Sequence, residues 1–171
     1  AGPFSFDAKL EREAAPETCS AFETLMPFSS KIVHVRWSGE GVWIPFGDRD
    51  FGLGYENHTS HPAPGQIIFY PGGISETEIL LAYGGLDFSS KMGQLAGNHF
   101  ITLTSGHENL MTLGNLVLWE GAQDIAFFIC LITRTNLTRC GLRSLGRAGG
   151  VEFLSSPCRV CLALSSSHMR W

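Results

Sequence analysis

The stretch Gln66–Gly84, QIIFYPGGISETEILLAYG, reads as strand, tight turn, strand. Ile67–Tyr70 is apolar and rich in β-formers. Pro71, Gly72 and Gly73 break it, and Glu78–Tyr83 is apolar again. The turn sets Ser75, Glu76 and Glu78 beside the aromatic rings of Tyr70 and Tyr83. No other part of the chain joins apolar strands so closely to ionisable groups. A pattern of short apolar runs parted by glycine and proline favours strands and turns over a helical bundle.

The rest of the chain repeats that pattern. Phe4–Leu10 alternates as a half-buried strand. Pro16–Met26 changes period: Cys19, Phe22 and Met26 fall at helical spacing, with Pro16 suited to the first turn and Pro27 to the stop. Lys31–Trp37 alternates again, with Val33, Val35 and Trp37 on one face and Ile32, His34 and Arg36 on the other. Ser38–Gly41 turns it into a returning strand, Val42–Phe46. Gly47–Gly65 reads as one long loop, and loops of that length are more often functional than idle. A second loop covers Gly84–Asn98, a strand Phe100–Thr104, and a short helix or turn His107–Asn115. Val117–Phe128 reads as a closing strand with Gly121 as a bulge. Seven or eight short strands with one or two short helices predict a mostly β protein, a closed antiparallel barrel, over residues 1–129.

Residues 130–171 break the pattern and are expected to be an irregular Arg-, Ser- and Cys-containing tail. The charge divides at the same place. Residues 1–129 carry fifteen acidic and six basic side chains; residues 130–171 carry one and six. An acidic body argues against nucleic acid as partner, since affinity for phosphate backbones comes from Lys and Arg. The longest apolar run, Ile125–Ile132, is too short to span a bilayer, so no membrane association is expected. Of five cysteines only Cys19 lies in the body, which argues against a disulfide framework and for a reducing compartment. With no basic start followed by an apolar core, the expected location is cytoplasmic.

Four blocks, HVRWSGEGVWIPFGD (His34–Asp48), ENHTSHPAPGQIIFYPGGISETEILLAYG (Glu56–Gly84), KMGQLAGNHF (Lys91–Phe100) and LWEGAQDIAFF (Leu118–Phe128), resemble a family of uncharacterised cyclophilin-like proteins, a domain-of-unknown-function group found in bacteria and fungi. The resemblance covers residues 4–129 and implies a closed β-barrel with a capping helix. It implies no activity, because fold alone does not give function. The arginine, phenylalanine–histidine and glutamine–phenylalanine order of prolyl isomerases is not matched: HVRW and GNHF supply similar residues in different surroundings.

The candidate site residues follow from strand geometry. Arg36 is placed to grip a carboxylate or polarise a carbonyl, with His34 two residues away. Glu76 and Glu78 are paired carboxyls of the kind whose environments split their pKa values. The expected catalytic set is Arg36, Glu76 and His99. The expected binding set is His34, Trp43, Tyr70, Glu78 and Tyr83. The histidines of ENHTSH lack a third ligand, so no metal is expected, and no pattern calls for another cofactor. The leading expectation is a site for a small molecule, a compact carbonyl, amide or imide compound; if catalytic, it is an isomerase or lyase working by proton transfer. The alternatives are a peptide-binding module with prolyl-isomerase-like activity and a non-catalytic structural domain that forms a homo-oligomer.

Overall fold

The computed structural model describes residues 1–130 and 159–163. Eleven strands are formed: β1 Phe6–Leu10, β2 Phe28–His34, β3 Gly39–Gly47, β4 His58–Thr59, β5 Gln66–Tyr70, β6 Thr77–Leu86, β7 Ser89–Ser90, β8 Gly93–Gln94, β9 Gly97–Leu103, β10 Gln123–Cys130 and β11 Arg159–Ala163. Two helices accompany them, α1 Pro16–Glu23 and α2 Leu110–Glu120, the second preceded by a 3-10 turn at His107–Asn109. The fold is mostly β, as the sequence predicts. Nine strands make one curled antiparallel sheet, a half-barrel, in the order β1-β11-β10-β2-β3-β6-β5-β9-β4. β7 and β8 form a separate two-stranded hairpin within the second long loop.

The central hairpin is the one the sequence marks. β5 and β6 pair with Tyr70 opposite Glu78 and Ile68 opposite Leu80. Both of its faces are covered, which is why its apolar runs are nearly continuous rather than alternating. Ile67, Phe69, Ile79, Leu81 and Tyr83 face a large core shared with Cys19 and Phe22 of α1 and Leu110, Leu113 and Val117 of α2. Ile68, Tyr70, Leu80 and Ala82 face a second, smaller core closed by Phe88 and Leu95 of the second loop. Period two therefore sorts each strand into a helix-covered face and a loop-covered face.

Two strand assignments shift. The predicted strand Lys31–Trp37 is instead Phe28–His34, so Arg36 lies past its end, exposed, and does not share a strand face with His34. The predicted closing strand from Val117 is the second half of α2. Leu110, Leu113, Gly114 and Val117 recur at helical spacing and are buried. A Cβ on Gly114 would overlap the Tyr83 ring, so the helix sits close to the sheet. Gly121 is no bulge: it ends the helix with φ 90, a conformation open to glycine. Only then does β10 begin. Trp119 is 74% exposed on this helix.

Within the segment expected to be irregular, β11 pairs antiparallel with β1 and β10. Leu142, Leu145, Val151, Phe153 and Leu154, the residues that would pack if the tail folded, lie outside the described residues, as does Cys158.

The first long loop is fixed by one buried side chain. Asn98 of β9 accepts a hydrogen bond from the Glu56 N–H (3.0 Å) and donates to Thr18 Oγ1 (3.0 Å) and the Gly54 carbonyl (2.9 Å). α1 has no side-chain cap of its own. The Glu56 carboxylate replaces one, accepting the Thr18 N–H at 2.6 Å at the positive end of the helix dipole. Asn98→Ala leaves the buried Thr18 hydroxyl and the half-buried Glu56 N–H without this partner, and is expected to cost about 1–3 kcal/mol, read as a lower urea midpoint with little change in slope.

Candidate functional site

The turn between β5 and β6 separates two clefts. The larger, about 610 Å³, is lined by Trp37, Trp43, Ile74, Ser75, Glu76, Glu78 and the Ser89–Met92 end of the β7–β8 hairpin. The smaller, about 420 Å³, lies on the other side of the turn against Asp48–Asp50, Leu53 and Tyr55, and shares Ser75 and Glu76.

Each wall of the larger cleft has a local cause. Trp43 of β3 stands opposite Leu80 and Pro45 opposite Glu78, so Trp43 and Glu78 emerge on the same loop-covered face. Tyr70 lies beneath the turn, where its hydroxyl accepts the Ile74 and Ser75 N–H groups at 3.1 and 3.4 Å. Those bonds hold Ile74–Glu76 against the cleft. Ser38, in the β2–β3 turn, donates to the Ser89 carbonyl (2.9 Å) and accepts its N–H (3.1 Å), fixing the opposite wall. Trp37 packs edge-on to Trp43, centroids 6.0 Å apart.

Two residues lining the cleft carry polar groups without a partner among the described residues. Trp43 Nε1 is buried with no hydrogen bond among the described residues. Glu78 is only 5% exposed, and no hydrogen bond or ion pair of its carboxyl is found among the described residues. Burial, with the charge of Glu76 added, pushes its carboxyl up to about 8, so it is largely protonated at neutral pH. A buried acid that exchanges its proton near neutrality, beside a free indole N–H, can give or take a proton and orient a hydrogen-bond acceptor.

The eight candidate residues do not form one site. Trp43, Glu76 and Glu78 come together in the larger cleft, with Tyr70 supporting the turn behind them. His34 and Tyr83 meet elsewhere: Nε2 and the phenol are 2.6 Å apart, on the face covered by the helices. Tyr83 is an odd position of β6 and Glu78 an even one, so they point to opposite faces. Burial, and then the Arg36 charge, lower the His34 pKa; burial, and then Glu40, raise that of Tyr83, with Arg36 opposing. Arg36 thus belongs to the His34–Tyr83 group and lines neither cleft. His99 forms a third group: its Nε2 is 2.9 Å from Thr102 Oγ1, which donates to Glu11 at 2.6 Å. It also lines neither cleft.

Pattern alone missed Trp37, Ile74, Lys91 and Met92. Trp37, Ile74 and Met92 are 60%, 65% and 76% exposed, an apolar rim on one opening. The only signals were a tryptophan next to a turn and an isoleucine within one. Of the ENHTSH residues, Glu56 caps α1, His58 packs on the Tyr55 ring and His61 is 3.6 Å from Asp87. No group of three metal-ligating side chains occurs among the described residues. Cys19 is buried, its thiol pushed up to about 11 by burial, which makes it a poor nucleophile. No helix among the described residues is long and apolar enough to cross a membrane.

A curled antiparallel half-barrel with two helices, and clefts of mixed apolar and acidic lining on either side of its central turn, defines a β-rich domain. The chain belongs to the family described as Protein of unknown function (DUF3830), whose model matches residues 1–129. No curated protein matches the chain. Among solved structures it is similar to one described as McbB in complex with tryptophan, at 14% identity and a TM-score of 0.49. That likeness covers 98% of this chain and 46% of the other, so the chain spans about half the length of that protein.

Proposed function

We propose that the larger cleft binds a small organic molecule, a compact carbonyl, amide or imide compound, and that Glu78 is its proton-exchanging group. One observation carries this reading: a buried carboxyl and a buried indole N–H, both without a partner among the described residues, belong to two residues that line one cavity. Trp43 Nε1 is the donor for a ligand oxygen, and Glu78 gives or takes a proton at the neighbouring atom. If the site is catalytic, it works as an isomerase or lyase of the proton-transfer kind. The volume falls within the roughly 300–1,000 Å³ of ordinary ligand pockets. The scaffold we read as a cyclophilin-like barrel. The pairing of β1 with both β9 and β11, and of β11 with β10, supports a complete ring. The peptide-binding alternative has less support, since Arg36 and His99 line neither cleft.

A thermal-shift screen with succinimide, benzamide and small lactams tests the reading. A ligand that binds only the folded protein must raise the midpoint, and a 100-fold excess over Kd adds about 2.7 kcal/mol. The expected result is a midpoint increase in the wild type that shrinks in Trp43→Phe, which keeps the ring and removes the donor. No increase with any such compound would overturn the reading.

A further inference from the structure

The residue types lining the larger cleft point to a class of ligand. Its floor and turn carry two carboxyls, Glu78 and Glu76. The groups facing Glu78 can be named element by element. β3 brings Trp43 and Pro45, neither charged; β5 brings the Tyr70 phenol, already engaged by the Ile74 and Ser75 amides. The turn brings Glu76, and the β7–β8 hairpin brings Lys91. Lys91 is exposed, and neither glutamate makes an ion pair among the described residues. Lys91 is the one cation among the described residues lining the cleft, and it pairs with neither carboxyl there. Trp37 and Trp43, at 78° to one another, line the same cleft as the two carboxyls, with Met92. Tryptophan faces beside carboxyls are the arrangement that attracts an organic cation, by the ring quadrupole and by charge.

We propose that the ligand of this cleft carries a protonated or quaternary amine, held between the Trp37 ring and the carboxyls of Glu76 and Glu78. This rests on the reading of the cleft as a small-molecule site and names the class of molecule it takes. The raised proton affinity of Glu78 comes from burial and from Glu76, and the positive charge of a bound ammonium acts against that rise. Binding therefore drives the Glu78 proton off to solvent, leaving a carboxylate at neutral pH. The ligand itself converts Glu78 from an acid into a base, next to the Trp43 N–H that orients a carbonyl.

Titration calorimetry at pH about 7, in two buffers of different ionisation enthalpy, counts the protons exchanged. The probes are benzylamine, benzyltrimethylammonium, benzamide and benzoate. The two cations are expected to bind with release of a substantial fraction of a proton. Glu78→Gln should abolish that release and weaken both cations by about tenfold, and Trp37→Ala should weaken them by a similar factor. Benzamide binding as tightly as benzylamine, or benzoate binding with proton uptake, would overturn the cation assignment and leave the small-molecule reading standing. Failure of all four probes to bind the folded protein would overturn both.

Discussion

Glu78→Gln is expected to stabilise the protein at pH 9, by about 2–4 kcal/mol, and to flatten its stability against pH. The sign follows from the direction of the shift. In the unfolded chain the carboxyl titrates near its ordinary value of 4.5; in the fold it titrates at about 8. Below 4.5 it is protonated in both states and contributes no pH dependence. Between the two values the folded state holds a proton that the unfolded state has lost. Wild-type stability then falls as pH rises, by up to about 1.4 kcal/mol per unit from this group, and levels off above 8. Glutamine has no proton to hold, so the slope vanishes; its amide still desolvates, which is why the gain is smaller than the whole shift. Urea unfolding of both proteins at pH 5, 7 and 9 measures it. Equal slopes would mean that Glu78 is ionised in the fold, and the site would lose its titrating group.

Phe22→Ala is expected to cost about 3–5 kcal/mol, the range for removing a large buried aromatic. Phe22 lies on the inner face of α1 and meets three rings edge-on: Phe100 of β9 at 5.0 Å, Phe127 of β10 at 5.2 Å and Phe28 of β2 at 6.3 Å. Phe28 and Phe127 are also stacked on each other, with centroids 6.0 Å apart. One side chain thus ties the helix to strands far apart in the sheet order, and alanine would leave a cavity that these rings cannot close without moving apart. The measurement is the denaturant midpoint, with calorimetric melting as a second probe. A loss below about 1 kcal/mol would show that the aromatic cluster repacks around the gap.

The two effects live on opposite faces of the same sheet, and the sequence exposes them unequally. Phe22 is legible: with Cys19 it keeps helical spacing behind Pro16, and the helix forms where that spacing places it. Glu78 is legible only as one of a pair. Which glutamate is buried depends on the loop that closes over it, and Ser38, Phe88 and Leu95 determine that closure through contacts across about 50 residues or within a separate loop. The apolar run through Val117 and Trp119 fits a strand on pattern because short apolar runs fit either period. Packing decided it, with Gly114 letting the helix approach Tyr83.

By itself the chain determined a strand-rich antiparallel domain, its central hairpin, the first helix and the turn that carries the carboxyls. Those features depend on local periodicity and on proline and glycine, whose effects act over a few residues. Only the tertiary structure decided that His34 and Tyr83 face away from Glu78, that Arg36 and His99 stand apart from the cleft, and that Trp37 and Met92 frame it. The reason is that a site is defined by which faces and loops converge in space, and strand pairing between distant segments sets that convergence.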